Sequence, residues 1–194
     1  AIQNGNRTKF GLLKKFNHDI YFSYSDYEKK LFKDLKIKYK KIIPIGSFYG
    51  EVKKLRNKKS YKKIYDICLI SQYNQADFRF KNRKIFQERL KNIVIISKFL
   101  SKFIESSKFK ICILLRENSE DEINFYKNYF NINLKNVSFI KCFKNTNTFK
   151  YMFQSRVCVS FYSSTIKELL SMKKKAFFMD FTASDKFNEK SKSL

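Results

Sequence analysis

Histidine and proline are nearly absent from this 194-residue chain, with His18 and Pro44 as its only examples. One imidazole excludes a metal centre built on paired histidines. Cysteine occurs at Cys68, Cys112, Cys142 and Cys158 and never as a CxxC pair. That spacing excludes a zinc ribbon and predicts small, buried thiols in a reducing cytoplasm. No apolar run approaches the length of about 18 residues that a membrane-spanning helix needs. No signal-peptide pattern opens the chain. The sequence contains no GxGxxG, no GxxxxGK[ST] and no GxSxG. The dinucleotide fingerprint, the P-loop and the hydrolase nucleophile elbow all lose support.

What remains is a chain with enough apolar residues, 43%, to bury a core, so its 30% charged residues do not make it disordered. The net charge is +25 and rests mainly on Lys, scattered along the whole length. Dedicated nucleic-acid readers favour the Arg fork, which bonds bidentately. The charge therefore suits an anionic membrane leaflet better than a dedicated nucleic-acid partner, and it equally fits a Lys-, Asn-, Ile-, Phe- and Tyr-rich proteome with AT-rich codons. The chain begins at Ala1 and ends in "NEKSKSL", and is expected to be a piece of a longer protein, truncated at both ends.

From residue 61 onward, short apolar runs alternate with helical patterns. Strands are expected at 64–71 ("IYDICLIS"), 109–116 ("FKICILLR"), 137–140 ("VSFI"), 157–161 ("VCVSF") and 175–181 ("KAFFMDF"). Helices are expected over about 83–103, from Ser119 onward, in "TNTFKYMFQS" and in "STIKELLSM". Ser119 and Glu122 have the spacing of a capping box, and "QYNQADFRFKN" reads as a polar loop. The alternation predicts an α/β fold with a Rossmann-like parallel sheet flanked by helices, preceded by a partial α/β segment. That segment holds a strand in "DIYFSYS", a helix in "DYEKKLFKDL" and a strand in "KKIIPIGS", where Pro44 predicts an edge or terminal strand. The expected organisation is a first unit over 1–50, a charged connector over 51–63 and the Rossmann-like domain over 64–194.

Ligands of open parallel sheets bind beyond the carboxyl ends of the strands. Those ends carry Ser71 and Gln72, then Arg116, Glu117 and Asn118, then Lys141 and Lys144, then Tyr162 to Thr165, then Asp180, Thr182 and Ser184. This polar, partly cationic rim suits a phosphorylated ligand. Ser163, Ser164 and Thr165 open a helix, where free amides and the dipole favour phosphate. Thr165 and Glu168 are also spaced as a capping box and can serve the helix alone. Arg116 either touches a ligand or pairs with a nearby Glu. His18 has the chemistry of a general base but reads as a solvated loop residue. Asp66 stands at the opposite end of the sheet and reads as structural.

The blocks "IQNGNR", "IIPIGSFYG", "YDICLISQY", "LLRENSEDE" and "VSFYSSTIKELLSMKKKAFFMDF" together resemble GT-B-fold glycosyltransferases. The likeness is to the bacterial surface-carbohydrate biosynthesis type, and more distantly to CDP-glycerol glycerophosphotransferases. The resemblance implies the C-terminal part of a two-domain enzyme, with residues 1–50 ending an acceptor domain and 64–194 binding a nucleotide-activated sugar or polyol-phosphate donor. Ser163, Ser164 and Thr165 would meet the donor phosphates, and Glu168 a ribose hydroxyl. Gly46 and Ser47 would border the donor from the interdomain segment. The implied partners are a nucleotide-sugar donor, a carbohydrate or lipid-linked acceptor and an anionic membrane surface. The implied location is the cytoplasm, at the inner face of the cell membrane. No cofactor or metal is implied, since helix dipoles and basic side chains stabilise the leaving diphosphate in such enzymes, and the sequence has no DxD motif. The chain departs from the relatives in carrying Asn4-Gly5 in place of a His-Gly pair, which leaves the catalytic base unknown. It also has "MKKK" (172–175) in place of a Gly-rich turn. The competing readings are a nucleotide-sugar epimerase of the same fold and a basic module that docks on RNA or anionic lipid.

Overall fold

The structure is a computed structural model that describes residues 18–23, 25–34, 36–47, 52, 61–79, 84–143, 147–161, 163–179 and 181. The "IQNGNR" block with Asn4-Gly5, most of the expected connector, and Lys144, Tyr162, Asp180, Thr182 and Ser184 lie outside the described residues.

The first unit is β1 (His18–Ser23), α1 (Asp26–Asp34) and β2 (Tyr39–Pro44), with the two strands parallel. Two strands and one helix bury a small core of their own, made of Tyr21, Leu31, Phe32, Ile37 and Ile42. The Tyr21 and Phe32 rings meet at 4.9 Å. Pro44 closes β2, as its missing N–H requires, and the ladder to β1 resumes one residue later through Ile45 N to the Ser23 carbonyl (3.0 Å).

The larger unit runs β3 (Tyr65–Ile70), α2 (Gln75–Arg79), α3 (Lys84–Ser107), β4 (Ile111–Leu114), α4 (Glu120–Phe130), a 3-10 turn (Asn131–Asn136), β5 (Val137–Ile140), α5 (Thr148–Gln154), β6 (Ser155–Ser160), α6 (Ser164–Ser171) and β7 (Ala176–Phe178). Its five strands are all parallel, in the order β5-β4-β3-β6-β7. Counted within the sheet this is the order 3-2-1-4-5 of a Rossmann-like, doubly wound fold.

The alternation of side chains along each strand sorts the core into two layers. Ile67, Leu69, Ile111, Ile113 and Val159 face Ile96, Leu100 and Ile104 of α3 and Ile123, Tyr126 and Phe130 of α4. The opposite face is built on small residues. Cys112 pairs in register with Cys68, Cys68 with Cys158, and Cys158 with Ala176. These three thiols are fully buried, and Phe149 and Met152 of α5 and Ile166 and Leu169 of α6 pack over them. A row of short side chains lets those two helices approach the sheet closely. Burial raises the Cys68 thiol well above its ordinary value, with the neighbouring thiols of Cys112 and Cys158 adding to the effect. The cysteines are free, and these three, shut off from solvent, serve as packing residues. Cys142, half-buried, is pushed up to about 11 by burial and then by the nearby Glu122 charge.

Several elements differ from their expected bounds. The region read as a polar loop contains α2. Its first turn is capped by Asn74 Oδ1, which accepts from Ala76 N (2.9 Å), and by Glu117 Oε1, which accepts from Gln75 N at 3.0 Å. The second of these caps arrives from another strand end, so local sequence does not carry it. β6 begins two residues earlier than expected, because Ser155 pairs with Tyr65 of β3. α6 ends in a reciprocal turn, with Lys173 N bonded to the Leu170 carbonyl (2.9 Å) and Lys174 N to the Leu169 carbonyl (2.9 Å). Lys173 takes φ +58 there, a position that normally favours glycine.

The amino ends of the strands are pinned by charge. Asp66 accepts from Lys110 N (2.9 Å) and pairs with Arg156 Nε (3.1 Å), the structural role its position implied. Lys63 Nζ donates to the Phe153 carbonyl (2.6 Å) and Lys174 Nζ to the Ser155 carbonyl, where α5 passes into β6. Lys174 is buried, and burial followed by the neighbouring Lys63 lowers its pKa to about 8. A cation whose folded pKa lies below its unfolded value of 10.5 is a cost below pH 8, where both states are charged. The cost is relieved as the pH rises, because the unfolded state then binds more protons. The melting temperature of the native chain, relative to a Lys174→Met variant, is therefore expected to rise between about pH 7.5 and 9.5. A difference that stays constant over that window in parallel thermal melts refutes this account of Lys174.

Candidate functional site

Sheet order reverses between β3 and β6. To one side of β3 the chain proceeds to β4 and β5; to the other it proceeds to β6 and β7. Crevices outside the carboxyl ends of strands form at such a switch point. Ser71 and Gln72 leave β3 there, Arg116 to Asn118 leave β4 beside them, and Ser163 to Thr165 follow β6 on the other side. The strand ends are tied together by Ser160 Oγ, which donates to the Ile70 carbonyl at 2.8 Å. A narrow crevice at this edge is lined by Gln72, Ser97, Tyr126 and Phe161 above Leu69 and Ile70.

The two halves of the edge are built differently. On the β4 side, Glu122 of α4 is completely buried. Its Oε1 accepts from Arg116 N (2.9 Å), and its Oε2 accepts from Glu117 N (2.8 Å) and Asn118 N (3.0 Å). The Ser71 hydroxyl donates to the same Oε1 at 2.5 Å, while Tyr126 Oη donates to Ser71 Oγ at 2.9 Å. Ser71 Oγ also accepts from Tyr73 N at 3.1 Å. Successive amides turned toward one point make a ready anion site, and here the protein fills it with its own carboxylate. The spacing of Ser119 and Glu122 therefore gives half a capping box. Ser119 Oγ accepts from Glu122 N (3.1 Å), but the carboxylate turns to the residues preceding Ser119. Burial raises the Tyr126 phenol far above its ordinary value, so it stays protonated and donates. Asn118, at φ +59, carries the edge on to β5. Its Oδ1 accepts from Cys142 N (2.6 Å), and its Nδ2 donates to the Cys142 carbonyl (3.0 Å).

On the β6 side, among the described residues, no carboxylate fills the start of the helix. Ser163 is the N-cap of α6, in extended conformation, and its Oγ accepts from Thr165 N at 3.3 Å. The Ser163 carbonyl accepts from Ile166 N at 3.1 Å. The cap is thus Ser163 rather than Thr165, whose expected box with Glu168 does not set the helix start. Ser164, the first helical residue, is exposed, and among the described residues its amide and hydroxyl make no hydrogen bond. Thr165 and Glu168 are half-buried. The first turn of α6 contains no acidic residue, whereas that of α4 contains Glu120, Asp121 and Glu122. The positive end of the α6 dipole is therefore not offset by side chains of its own.

Behind that turn, Lys167 of α6 and Glu28 of α1 are both buried. Burial lowers the Lys167 pKa to about 8, and the Glu28 charge opposes this. The charge of Glu28 in the first unit is therefore felt at the helix that carries the candidate site. Neither member stood out in a sequence so rich in lysine.

Among the other expected site residues, the Gln72 amide donates to the Ser71 carbonyl (2.9 Å). Arg116 is exposed, and among the described residues its guanidinium has no acidic partner. Gly46, at φ +73, and the buried Ser47 follow β2 and so belong to the other sheet. Among the described residues no three His, Cys, Asp or Glu side chains converge as metal ligands, the row of thiols included. No protein-family model matches the chain, and no curated protein does either.

Two outcomes follow from this geometry. Glu122→Ala strands several backbone amides and the Ser71 hydroxyl, and is expected to lower the unfolding free energy by about 3 kcal/mol in urea titrations, with Glu122→Gln falling between it and the native chain. A loss below about 1 kcal/mol would mean that water replaces the carboxylate freely. Glu28→Gln removes the charge that opposes the desolvation of Lys167 and is expected to destabilise the chain, with part of the loss recovered in Glu28→Gln/Lys167→Met. Strictly additive losses in this double-mutant cycle would show that the two do not interact.

Proposed function

We propose that the five-stranded unit is the donor-binding half of a glycosyltransferase of surface-polysaccharide biosynthesis, taking a nucleotide-activated sugar or polyol-phosphate. The observation that carries this reading is the contrast at the switch point. The amides of the loop after β4 are filled by Glu122, while the terminus of α6 presents Ser164 and Thr165 with no acidic residue in its first turn. A diphosphate seated there meets a free amide, two hydroxyls and the positive end of the dipole. Glu168 lies one turn along α6, within reach of a hydroxyl-bearing sugar such as ribose. Arg116, exposed on the neighbouring loop and without an acidic partner among the described residues, supplies mobile positive charge to the leaving diphosphate. The resemblance of the ordered sequence blocks to GT-B glycosyltransferases supports the same class, and a carbohydrate or lipid-linked acceptor follows from it. Ser71 contributes through its backbone and by holding Glu122, since its hydroxyl is already committed.

The test separates binding from stability. Ser163→Ala removes the N-cap and is expected to cost about 1 kcal/mol of stability. Ser164→Ala removes an exposed hydroxyl and is expected to leave stability nearly unchanged while weakening donor binding about tenfold. A panel of UDP-, GDP-, CDP- and CMP-linked donors, read by thermal shift and titration calorimetry on the full-length protein, checks both. Failure of every donor to bind, or binding that ignores Ser164 and Glu168, overturns the proposal.

A further inference from the structure

Along α3 and the segment after β7, four phenylalanines form a continuous surface ladder. Phe181 meets Phe99 at 6.3 Å, Phe99 stacks on Phe103 at 6.2 Å, and Phe103 meets Phe109 at 5.1 Å. These rings are not core: Phe99 is 49% exposed, Phe103 38% and Phe181 45%. The position of Phe181 is secured by its amide, which donates to Asn92 Oδ1 at 2.8 Å. Contiguous exposed aromatic surface of this kind marks an interaction site.

The charge around the ladder selects the partner. Lys98 and Lys102 lie one helical turn apart beside Phe99 and Phe103, and Lys108 follows at the helix end. All three are exposed, and among the described residues none pairs with a carboxylate. Glu105 is the single acidic residue between Lys91 and Lys110. A second copy of the chain docking symmetrically would bring these lysines against each other, which like-charge repulsion opposes. Single-stranded RNA needs open ring faces for base stacking. Here the rings flank one another at 5.1–6.3 Å along the ladder rather than standing apart as separate platforms. An anionic bilayer fits both features. The rings enter the boundary between headgroups and acyl chains, and the lysines reach anionic headgroups with their stems lying along the apolar surface.

We propose that the Phe99–Phe103–Phe181 ladder with Lys98, Lys102 and Lys108 is a docking surface for an anionic membrane, with α3 lying in the plane of the interface. Its lysines and the Phe99 and Phe103 rings are none of the residues assigned to the donor site. A small cluster of lysines near an anionic surface, together with buried rings, makes reversible peripheral binding.

The experiment is co-sedimentation of the full chain with phosphatidylcholine vesicles, with and without phosphatidylglycerol at about a third of the lipid. Binding to the anionic vesicles is expected to fall at least about tenfold in Phe99→Ser/Phe103→Ser and in Lys98→Gln/Lys102→Gln. It should change less than about twofold in Lys29→Gln/Lys30→Gln, an equal loss of charge on exposed residues of α1. Matched melting temperatures confirm that the variants remain folded. The proposal fails if the chain does not bind anionic vesicles or binds neutral ones equally. It fails too if the α1 control loses as much as the α3 variants, since diffuse charge would then suffice. Oligouridylate binding that depends on Phe99 and Phe103, or a native oligomer that dissociates in the Phe variant, assigns the surface to RNA or to a second copy and overturns the membrane reading.

Discussion

The buried carboxylate of Glu122 organises the carboxyl edge of the large sheet. A lone ion in so apolar a place would be prohibitive. This one is offset by amides from Arg116, Glu117 and Asn118 and by the Ser71 hydroxyl. Through it the ends of β3 and β4 and the start of α4 become one rigid corner. Tyr126 extends the network into the core through Ser71. The consequence for function is indirect: α4 supplies an anion of its own at this edge, whereas the first turn of α6 holds no acidic residue.

The rest of the architecture sets those termini side by side. Parallel strands in register put Cys112, Cys68, Cys158 and Ala176 in one line, and their small volumes let α5 and α6 sit close to the sheet. The large aliphatic residues on the other face support the longer α3 and α4. The lysines divide in the same way. Most of the described ones stay in water, but Lys174 closes the passage from α5 to β6 and Lys167 is buried under the influence of the Glu28 charge of the first unit. A high net charge therefore hides two ammonium groups held by packing, each at a cost that burial imposes.

The fold was legible because apolar runs alternated with helical periodicity. "IYDICLIS" and "FKICILLR" had the composition of strands buried on both faces, and they became β3 and β4. Ser163 to Thr165 stood out as a helix start, and α6 begins among them. Features that depend on contacts distant in sequence were not legible. α2 relies on Glu117 from another strand end. The destination of Glu122 lies behind Ser119 rather than on it. The choice of Ser163 over Thr165 as cap follows from where β6 releases the chain. The Phe99 ladder was equally hidden, since an aromatic residue in a helix is ordinarily core and only its place in the fold leaves it exposed.

By itself, then, the sequence determined the class of fold and the approximate place of each strand and helix, because hydrophobic periodicity is a local property. It also determined the chemistry available at the strand ends, since residue order alone assigns those loops. Tertiary structure decided which amides at the strand ends a buried carboxylate fills, which lysines are buried, which rings face water, and that thiols distant in sequence share one row. Each of these depends on the juxtaposition of segments far apart in the chain, and that juxtaposition exists only once strands have chosen their neighbours.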